Sequence, residues 1–380
     1  MKQNISNIHN CFGCGVCAIS CPKKIINIRL NKEGFYEPYL EKNDKCIHCG
    51  ICIDVCSFSH SDISLKTDRL KCWAGWSHSK EIRSKCASGG ISYEISKALI
   101  KEGFKFIGVK YDTNQDIAVH YIAENVEELK ESLGSKYIQS YPINAFKSID
   151  KKHSYLIVGT PCQIDSFRRY IKRFKCEENF ILIDFFCHGI PSYLLWKKYI
   201  KAIKNKIGSF EYVAWRNKIK NWHEFPTDIK NENLQDWHDS YNIIIKGEKN
   251  LFDRKWSNGD LFYYFFLGND CLGKACYNCR FKKKNSSADI RLGDMWGKTY
   301  ENNKYGVNCI ISFTEKGENI ISKMPCELIS YSFDKATEGQ VTCPPSYSRF
   351  KRYITLRLLK SDLLPLKIVA TINKILKRLI

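Results

Sequence analysis

The sequence predicts a small α+β module at the N-terminus, followed by a larger α/β domain. Eight cysteines are concentrated between residues 11 and 56, and short apolar strands alternate with amphipathic helices beyond residue 88. A repeated order of strand, turn and helix is typical of an α/β layer. With 380 residues, the chain is long enough for two or three domains with a sizeable core.

The cysteines of the N-terminal module form two sets with the same spacing, C-x2-C-x2-C-x3-C. The second set follows the first by thirty-five residues, and the members are Cys11, Cys14, Cys17, Cys21, Cys46, Cys49, Cys52 and Cys56. This is the pattern of bacterial ferredoxins with two [4Fe–4S] clusters, in which the fourth cysteine of each set ligates the other cluster. We therefore assign one cluster to Cys11, Cys14, Cys17 and Cys56, and the other to Cys46, Cys49, Cys52 and Cys21.

Other interpretations of these cysteines fit less well. A zinc ribbon uses two pairs of cysteines, and a disulfide framework belongs to secreted chains. Pro22 follows the first set, whereas Ser57 follows the second, but this position is not a ligand. Gly13, Gly15 and Ala18 match a loose dinucleotide-binding pattern, although no strand precedes them, so we discard that match.

The pattern of apolar residues indicates how the chain is divided. Residues 26–30 alternate, Gly34 turns the chain and residues 35–40 return, which predicts a hairpin between the cysteine sets. We expect the ferredoxin-like module to span residues 1–68 and the main domain residues 69–345, beginning with a connector over residues 72–86. Residues 346–380 are predicted to form one basic amphipathic helix, docked on the domain or in peripheral contact with a membrane.

Composition limits the setting and the partners. Residues 1–10 lack the apolar core of a signal peptide, and no apolar run could span a bilayer, so we expect a cytoplasmic protein. Its high content of cysteine, nineteen residues, then indicates metal binding rather than disulfides. The net charge of +20 favours acidic partners, such as an acidic redox carrier, a polyanionic coenzyme, nucleic acid or an anionic membrane. A soluble surface rich in lysine explains the charge equally well.

Two glycine-containing segments of the main domain could bind an anion. Ser88, Gly89 and Gly90 precede a helical pattern over residues 91–99, and the loop of residues 134–137 contains Ser135, Lys136 and Tyr137. Free backbone N–H groups at a helix start, together with a lysine, suit a phosphate. Glycines at such positions also simply permit close packing, so the signal is modest by itself.

A second set of cysteines follows predicted strands. Cys162 lies in the turn between a strand over residues 155–158 and a helix over residues 164–174, where the helix dipole favours its thiolate. Cys187 follows a strand over residues 180–185, and Cys276 and Cys279 form a C-x2-C loop. These four thiolates would hold a third [4Fe–4S] cluster or a zinc ion, with Cys271 as a spare ligand. The remaining cysteines are treated as ordinary thiols.

The order of these motifs resembles the coenzyme F420 hydrogenase/dehydrogenase beta-subunit family over residues 70–335. The motifs are Ser88-Gly89-Gly90, Ser135-Lys136-Tyr137, Gly159-Thr160-Pro161-Cys162-Gln163, Cys187-His188-Gly189, Cys276-x2-Cys279, and Asp289-Ile290 with Gly293-Asp294-Met295-Trp296-Gly297. The resemblance implies an α/β FAD-binding domain with a mixed sheet and its own [4Fe–4S] cluster, in preference to zinc. It places FAD near Ser88, Gly89, Gly90, Ser135, Lys136, Tyr137, Gly159, Thr160 and Asp294. Cys86 departs from the family pattern, in which we expect serine.

These cofactors suggest an oxidoreductase. FAD exchanges electron pairs as hydride and iron–sulfur clusters exchange single electrons, so we expect hydride chemistry at FAD to be coupled to a redox partner protein, a ferredoxin or a reductase subunit. The hydride donor or acceptor is a reduced deazaflavin or another organic molecule. His188 is a candidate catalytic residue, although a structural role fits it better. The alternative is a non-catalytic electron-transfer subunit. No RNA-binding signature supports a nucleic-acid partner.

Overall fold

The structure is a computed structural model that describes residues 4–150, 152–220, 234–282 and 284–379. Trp222 and His223, which the sequence places in an irregular aromatic stretch, lie outside the described residues. In the N-terminal module, two short helices flank a hairpin: α1 Val16–Ser20, β1 Ile26–Leu30, β2 Tyr36–Leu40 and α2 Ile51–Asp54. The strands pair antiparallel with Ile26 opposite Leu40, which confirms the predicted hairpin.

The first half of the main domain alternates strands and helices. Its elements are β3 Lys71–Ser77, α3 Lys80–Lys85, α4 Ile91–Lys101, β4 Lys105–Asp112, β5 Ile117–Ala123, α5 Val126–Leu129, β6 Ser140–Tyr141, α6 Ile143–Lys147, β7 Tyr155–Val158, α7 Pro161–Phe174, β8 Phe180–Phe185 and α8 Tyr193–Ile207. Helix α7 begins three residues earlier than predicted, because Pro161 occupies its first turn and its fixed φ is already helical.

The second half adds a small sheet, the remaining strands of the large sheet and two long helices. Its elements are β9 Phe210–Ala214, β10 Asn242–Gly247, β11 Leu251–Lys255, α9 Leu261–Leu267, β12 Ile290–Asp294, β13 Asn308–Ser312, α10 Glu315–Ser322, β14 Cys326–Tyr331, α11 Phe333–Ala336, α12 Arg349–Lys360 and α13 Leu366–Leu379. Strands β9, β10 and β11 form the small antiparallel sheet.

The centre of the main domain is a mixed sheet of nine strands in the order β14-β3-β13-β12-β8-β7-β4-β5-β6. Strands β4, β7, β8 and β12 run parallel to one another, whereas β3, β13 and β14 pair antiparallel. This is the mixed α/β sheet that the sequence predicts. Because β7 and β8 are parallel neighbours, the turns that follow them meet at one edge of the sheet.

The predicted connector over residues 72–86 is wrong. Its first half is strand β3, which lies between β13 and β14 inside the sheet. A Cβ atom at Gly75 would lie 2.7 Å from a side-chain atom of Ile310 and 2.8 Å from one of Leu328, so the strand needs a glycine to fit between its neighbours. This small, irregular run lacks the alternation of large apolar residues by which strands are recognised.

The N-terminal module and the main domain share one hydrophobic core. Ile26, Ile28 and Tyr36 of the module belong to the same buried cluster as Trp196 of α8 and Phe262 of α9. Burial of apolar surface is the main favourable term in folding. The module is therefore held against the main domain by its own core residues.

Residues 346–380 were predicted to form one helix, but the chain breaks after Lys360 and forms the antiparallel pair α12 and α13. Pro365 lies at the break, where a proline at a helix start is well tolerated. Lys351 and Lys377 both form ion pairs with the buried carboxylate of Asp270, which supports docking on the domain. Among the described residues, no helix combines the length and apolar character needed to cross a bilayer.

Candidate functional site

The structure brings three cysteines of the first set to one cysteine of the second. Cys11, Cys14, Cys17 and Cys56 line a common cavity of about 350 Å³. Burial raises the pKa of Cys14 to about 11, and the nearby charge of Cys56 contributes in the same direction. This is the grouping that the crossed ferredoxin pattern predicts for the first cluster.

The other four cysteines are also neighbours. Burial raises the pKa of Cys52 to about 11, with smaller contributions from Cys21, Cys49 and Cys46 in that order. Gly15 and Gly50 occupy equivalent left-handed positions, both with φ of 79°, immediately before helices α1 and α2. The two halves of the module therefore present their first three cysteines in the same way, and the fourth cysteine of each half lies near the first three of the other half.

A third group of cysteines surrounds a larger cavity at the boundary between module and domain. The cavity has a volume of about 610 Å³, including its solvent-filled mouth, and is lined by Cys162, Cys187, Cys276, Cys279 and Cys11. Cys162 lies in the first turn of α7, directly after β7, and Cys187 lies in the turn after β8. The parallel pairing of β7 and β8 places both cysteines at the same sheet edge. The short 3-10 segment Lys274–Asn278 supplies Cys276, and Cys279 follows at once.

Burial dominates the chemistry of these free thiols. It raises the pKa of Cys187 to about 11 and that of Cys276 to about 12, and neighbouring cysteines add to the effect. The pKa of Cys162 is raised as well, chiefly by burial, despite a hydroxyl of Thr160 at 3.3 Å. In the free protein, burial therefore opposes the thiolate that the start of α7 is expected to favour.

The spare candidate, Cys271, lies apart from this cavity. It is fully buried, and burial next to Asp270 raises its pKa to about 12. In the described part of the chain, no three Cys, His, Asp or Glu side chains converge tightly enough to hold a single metal ion. The four cysteines of the third group stand around a cavity instead.

Polar contacts fix the module against the domain beside this cavity. The Ser166 hydroxyl of α7 accepts a hydrogen bond from the Ser57 N–H at 3.0 Å and lies 3.4 Å from the Cys14 sulfur. The amide of Gln163 donates to the Cys14 carbonyl at 3.2 Å. Buried Gln139 accepts from the Tyr36 N–H at 2.8 Å and donates to the Phe12 carbonyl at 3.2 Å.

An aromatic contact links the first and third cysteine groups. Phe12, next to Cys11, contacts Phe281, which follows Cys279 by two residues, with ring centroids 5.8 Å apart.

The turn of Ser88, Gly89 and Gly90 is packed against the sheet at the start of α4. The Ser88 hydroxyl donates to the Val307 carbonyl at 2.6 Å. A Cβ atom at Gly89 would lie 2.6 Å from the Gly75 carbonyl oxygen, and Gly90 has a φ of 86°. Both glycines are therefore required by the close approach and by the left-handed backbone.

Two lysines and Cys86 meet next to this turn. The Lys218 ammonium donates to the carbonyls of Arg83, Ser88 and Tyr305 at 2.6 to 2.8 Å. The Lys136 ammonium donates to the carbonyls of Glu131 and Leu133. Burial lowers the pKa of each lysine to about 7, and Cys86 makes the largest contribution in the opposite direction for both. The loops that contain Ser88 and Lys136 therefore come together.

Asp294 lies in the same region through its ion pair with the buried guanidinium of Arg216. Arg216 also donates to the Ser240 hydroxyl and to the Trp237 carbonyl. The Tyr137 ring stacks on Tyr241 with centroids 6.3 Å apart. Burial raises the pKa of the Tyr137 hydroxyl, while the charge of Arg216 lowers this pKa and that of Asp294 raises it. Aromatic rings and paired charges thus border the loop of residues 134–137.

The remaining predicted residues lie beside the third cysteine group. Thr160 contacts Cys162, and the Gly159 N–H donates to the Ile183 carbonyl at 3.1 Å. His188 is held by a contact of 3.2 Å between Nε2 and the Phe266 carbonyl and by edge packing on the Phe266 ring. Burial lowers the pKa of His188. These contacts support a structural role for this histidine.

Sequence reasoning missed several residues that shape this region. No role was predicted for Arg83, Gln139, Arg216 or Lys218. Arg216 and Lys218 are nevertheless buried, with exposed fractions of 5% and 1%. The sequence signal for these two residues is that they lie next to a tryptophan in a segment without clear periodicity. Such a signal is weak, because basic side chains are rarely buried without partners.

Comparisons with known proteins give one consistent result. Residues 152–329 match the family model for the C terminus of the beta subunit of coenzyme F420 hydrogenase/dehydrogenase, and residues 10–59 match the 4Fe-4S dicluster domain. A search of curated proteins finds no match.

Among solved structures, the chain is similar to one from the F420-reducing [NiFe] hydrogenase complex of Methanosarcina barkeri. The two are 17% identical over 71% of this chain and 84% of that chain, with a TM-score of 0.46. The family models and the ordered motifs agree: residues 152–329 are similar to the C terminus of the beta subunit of coenzyme F420 hydrogenase/dehydrogenase, and residues 10–59 are similar to a 4Fe-4S dicluster domain.

Proposed function

We propose that the protein is an iron–sulfur flavoprotein oxidoreductase that couples hydride transfer at FAD to single-electron transfer through three [4Fe–4S] clusters. The family and the dicluster domain support the coarser statement that it is an iron–sulfur oxidoreductase of the electron-transfer type. The observation that carries the proposal is the cavity lined by Cys162, Cys187, Cys276 and Cys279, which also has Cys11 in its wall.

The residues around this cavity fit a third cluster. A [4Fe–4S] cluster is ligated by four cysteine thiolates, and the cavity offers four in addition to Cys11. The walls are otherwise mostly apolar, with Phe12, Phe186 and Phe281 among them, which limits access of solvent. Lys282 also lines the cavity and supplies a positive charge opposite the thiolates. The proposed ligands are Cys162, Cys187, Cys276 and Cys279.

The region around Ser88 and Lys136 fits an anionic cofactor such as FAD. Arg83, Lys136 and Lys218 bring three basic groups to the two glycine-containing loops. The buried Nε atom of Arg83 has no hydrogen-bond partner among the described residues, and such an orphan is costly unless a ligand satisfies it. A pyrophosphate would accept from Arg83 Nε and from the one donor hydrogen of Lys136 that its two carbonyl partners leave, whereas Lys218, whose three donors are used by carbonyls, would contribute only its charge. The rings of Tyr137 and Tyr241 offer an aromatic surface for the rest of the molecule.

When bound, FAD supplies two-electron hydride chemistry and the clusters supply one-electron transfer. The chain's own contribution is to position these groups and to exclude water. Ser166, Gln163 and Gln139 hold the module in register with the main domain, so the first and third cysteine groups stay adjacent. No general acid or base is assigned, because the contacts of His188 are structural. The hydride donor or acceptor is proposed to be a reduced deazaflavin or another organic molecule. The one-electron partner is proposed to be a ferredoxin or a reductase subunit.

Anaerobic purification followed by assay of flavin, iron and zinc tests the proposal. We expect about one FAD and about twelve irons per chain. Eight irons with one zinc would retain the dicluster domain but make the third cysteine group a structural zinc site. Absence of flavin after loading would overturn hydride transfer at FAD and favour the alternative, an electron-transfer subunit that joins a ferredoxin to a partner reductase.

The affinity for FAD is expected to depend on pH through Lys136. Its pKa is lowered to about 7 by burial, so the lysine is charged below pH 7 and increasingly neutral above it. Because the charged form attracts a phosphate, the affinity should fall roughly tenfold as the pH rises from 6 to 9. This fall corresponds to the loss of one hydrogen bond to a charged group, which contributes about 1.5 kcal/mol or more. Titration of the apo protein with FAD at several pH values measures this.

Two substitutions sharpen the pH experiment. Lys136→Arg keeps a permanent charge and should flatten the pH dependence of FAD binding. A smaller pH dependence should remain, because the pKa of Lys218 is also lowered to about 7. Lys136→Met should weaken binding at low pH and approach the wild-type affinity at high pH. An unchanged pH profile in Lys136→Arg would show that Lys136 does not contact the phosphate.

A further inference from the structure

The helices α12 and α13 form a basic surface that faces away from the domain. Residues 346–380 contain nine lysine and arginine residues but a single acidic residue, Asp362. Three of the basic side chains point inward and pair with carboxylates: Lys351 and Lys377 with Asp270, and Arg352 with Glu33. The other six are exposed, namely Arg349, Arg357, Lys360, Lys367, Lys374 and Arg378.

Large apolar side chains project from the same helical pair. Leu363, in the turn between the helices, has an exposed fraction of 92%, and the others are Phe350, Tyr353, Ile368 and Ile375. Ile368 and Ile375 are seven residues apart, so they lie on one face of α13. Lys367 and Lys374 have the same spacing beside them; both are exposed, and the Lys374 ammonium also lies 5.5 Å from the centroid of the Tyr264 ring on α9. The inner face, with Val369 and Ala370, is buried against the domain.

We infer that this outer surface of α12 and α13 docks on an anionic lipid bilayer. Helices that lie in a membrane interface carry lysine and arginine next to exposed aliphatic and aromatic side chains. The basic rows complement phosphate and carboxylate headgroups, and the exposed apolar side chains gain a water-free environment in the acyl boundary. At fourteen residues, α13 is too short to span a bilayer, so the contact is peripheral.

Charge complementarity favours lipid over an acidic protein partner. In the described part of the chain, none of the six exposed basic side chains forms an ion pair, whereas the three inward ones do. A bilayer accepts a row of separate aliphatic side chains at any spacing, and it needs no matching pockets. Leu363 projects from a turn, where a side chain can enter the interface without moving a helix.

Sedimentation of the full-length, cofactor-loaded protein with lipid vesicles tests this inference. We expect binding to vesicles of phosphatidylcholine mixed with phosphatidylserine, weaker binding at high salt, and little binding to phosphatidylcholine alone. The double variant Lys367→Glu/Lys374→Glu should lose at least about 25-fold in affinity, because each lysine near an anionic surface contributes about fivefold. Ile368→Ser/Ile375→Ser should lose roughly tenfold or more from reduced apolar burial.

A matched charge change elsewhere serves as the control. Lys101 and Lys249 are exposed on other elements, so Lys101→Glu/Lys249→Glu should bind vesicles almost as the wild type does. If the control and Lys367→Glu/Lys374→Glu lose the same affinity for vesicles, the net charge of the protein alone explains the binding, and the inference is overturned. Binding to soluble polyglutamate as tight as to vesicles, with no effect of the isoleucine variant, would instead identify an acidic polypeptide as the partner.

Discussion

Replacement of Cys276 by alanine is expected to remove about four irons per chain, one [4Fe–4S] cluster, while the remaining eight stay bound. Cys276 lines the cavity at the boundary between module and domain with Cys162, Cys187 and Cys279. A cube that loses one of four thiolate corners is exposed to solvent and is readily lost. Iron analysis and the visible absorbance of the anaerobic protein measure the change.

The nearby Cys271 provides a matched control. It lies five residues earlier in the same segment and is fully buried, but it does not line the cavity. Cys271→Ala should therefore keep the iron content of the wild type. Loss of iron from Cys271→Ala but not from Cys276→Ala would reassign the ligands. Loss of zinc rather than iron from Cys276→Ala would make the third group a zinc site.

The largest loss of stability is expected from Asp184→Ala. Asp184 on β8 and Arg291 on β12 occupy paired positions in the parallel register, and both side chains are almost fully buried. The guanidinium of Arg291 donates twice to the Asp184 carboxylate, each time at 2.7 Å, and the Ser286 hydroxyl donates to the same carboxylate. Removal of the carboxylate leaves a buried, uncompensated guanidinium, which costs about 3–5 kcal/mol of the free energy of unfolding.

Urea unfolding of the cofactor-loaded protein measures this loss. The exposed pair of Lys246 and Glu211 provides the control, because Glu211→Ala should cost less than about 1 kcal/mol. The double variant Asp184→Leu/Arg291→Met should recover much of the stability, since a buried ion pair can often be replaced by apolar residues of similar size. Similar losses from Asp184→Ala and Glu211→Ala would show that burial does not govern the strength of this pair.

Local pattern was sufficient for most of the elements. The hairpin of β1 and β2, the strands β7 and β8, and the helices α4 and α7 follow from runs of apolar residues and from glycine or proline at their ends. Strand β3 was missed because its fit depends on the absence of a side chain at Gly75, between Ile310 and Leu328. A gap that the neighbouring strands impose leaves no periodic signal in the strand itself.

The C-terminal segment shows the same limit. The apolar periodicity of residues 368–379 correctly indicated a helix, but the helix pair and its docking depend on distant partners. Asp270 attracts Lys351 and Lys377, and Thr355 accepts a hydrogen bond from Asn373. These contacts join residues that are far apart in the chain, and the spacing within each helix carries no information about them.

In the candidate site too, some features follow from the local sequence and others depend on contacts between distant residues. The sequence by itself determined the dicluster module, because two-residue gaps between cysteines are a local property of one loop, and it determined the order of motifs that resembles the family. Only the tertiary structure decided that Cys162 and Cys187 face Cys276 across one cavity, because that depends on the parallel register of β7 and β8. It also decided that Lys218 lies buried beside Ser88, since a lysine enters an interior only where distant carbonyls, here those of Arg83, Ser88 and Tyr305, compensate for the lost hydration of its charge.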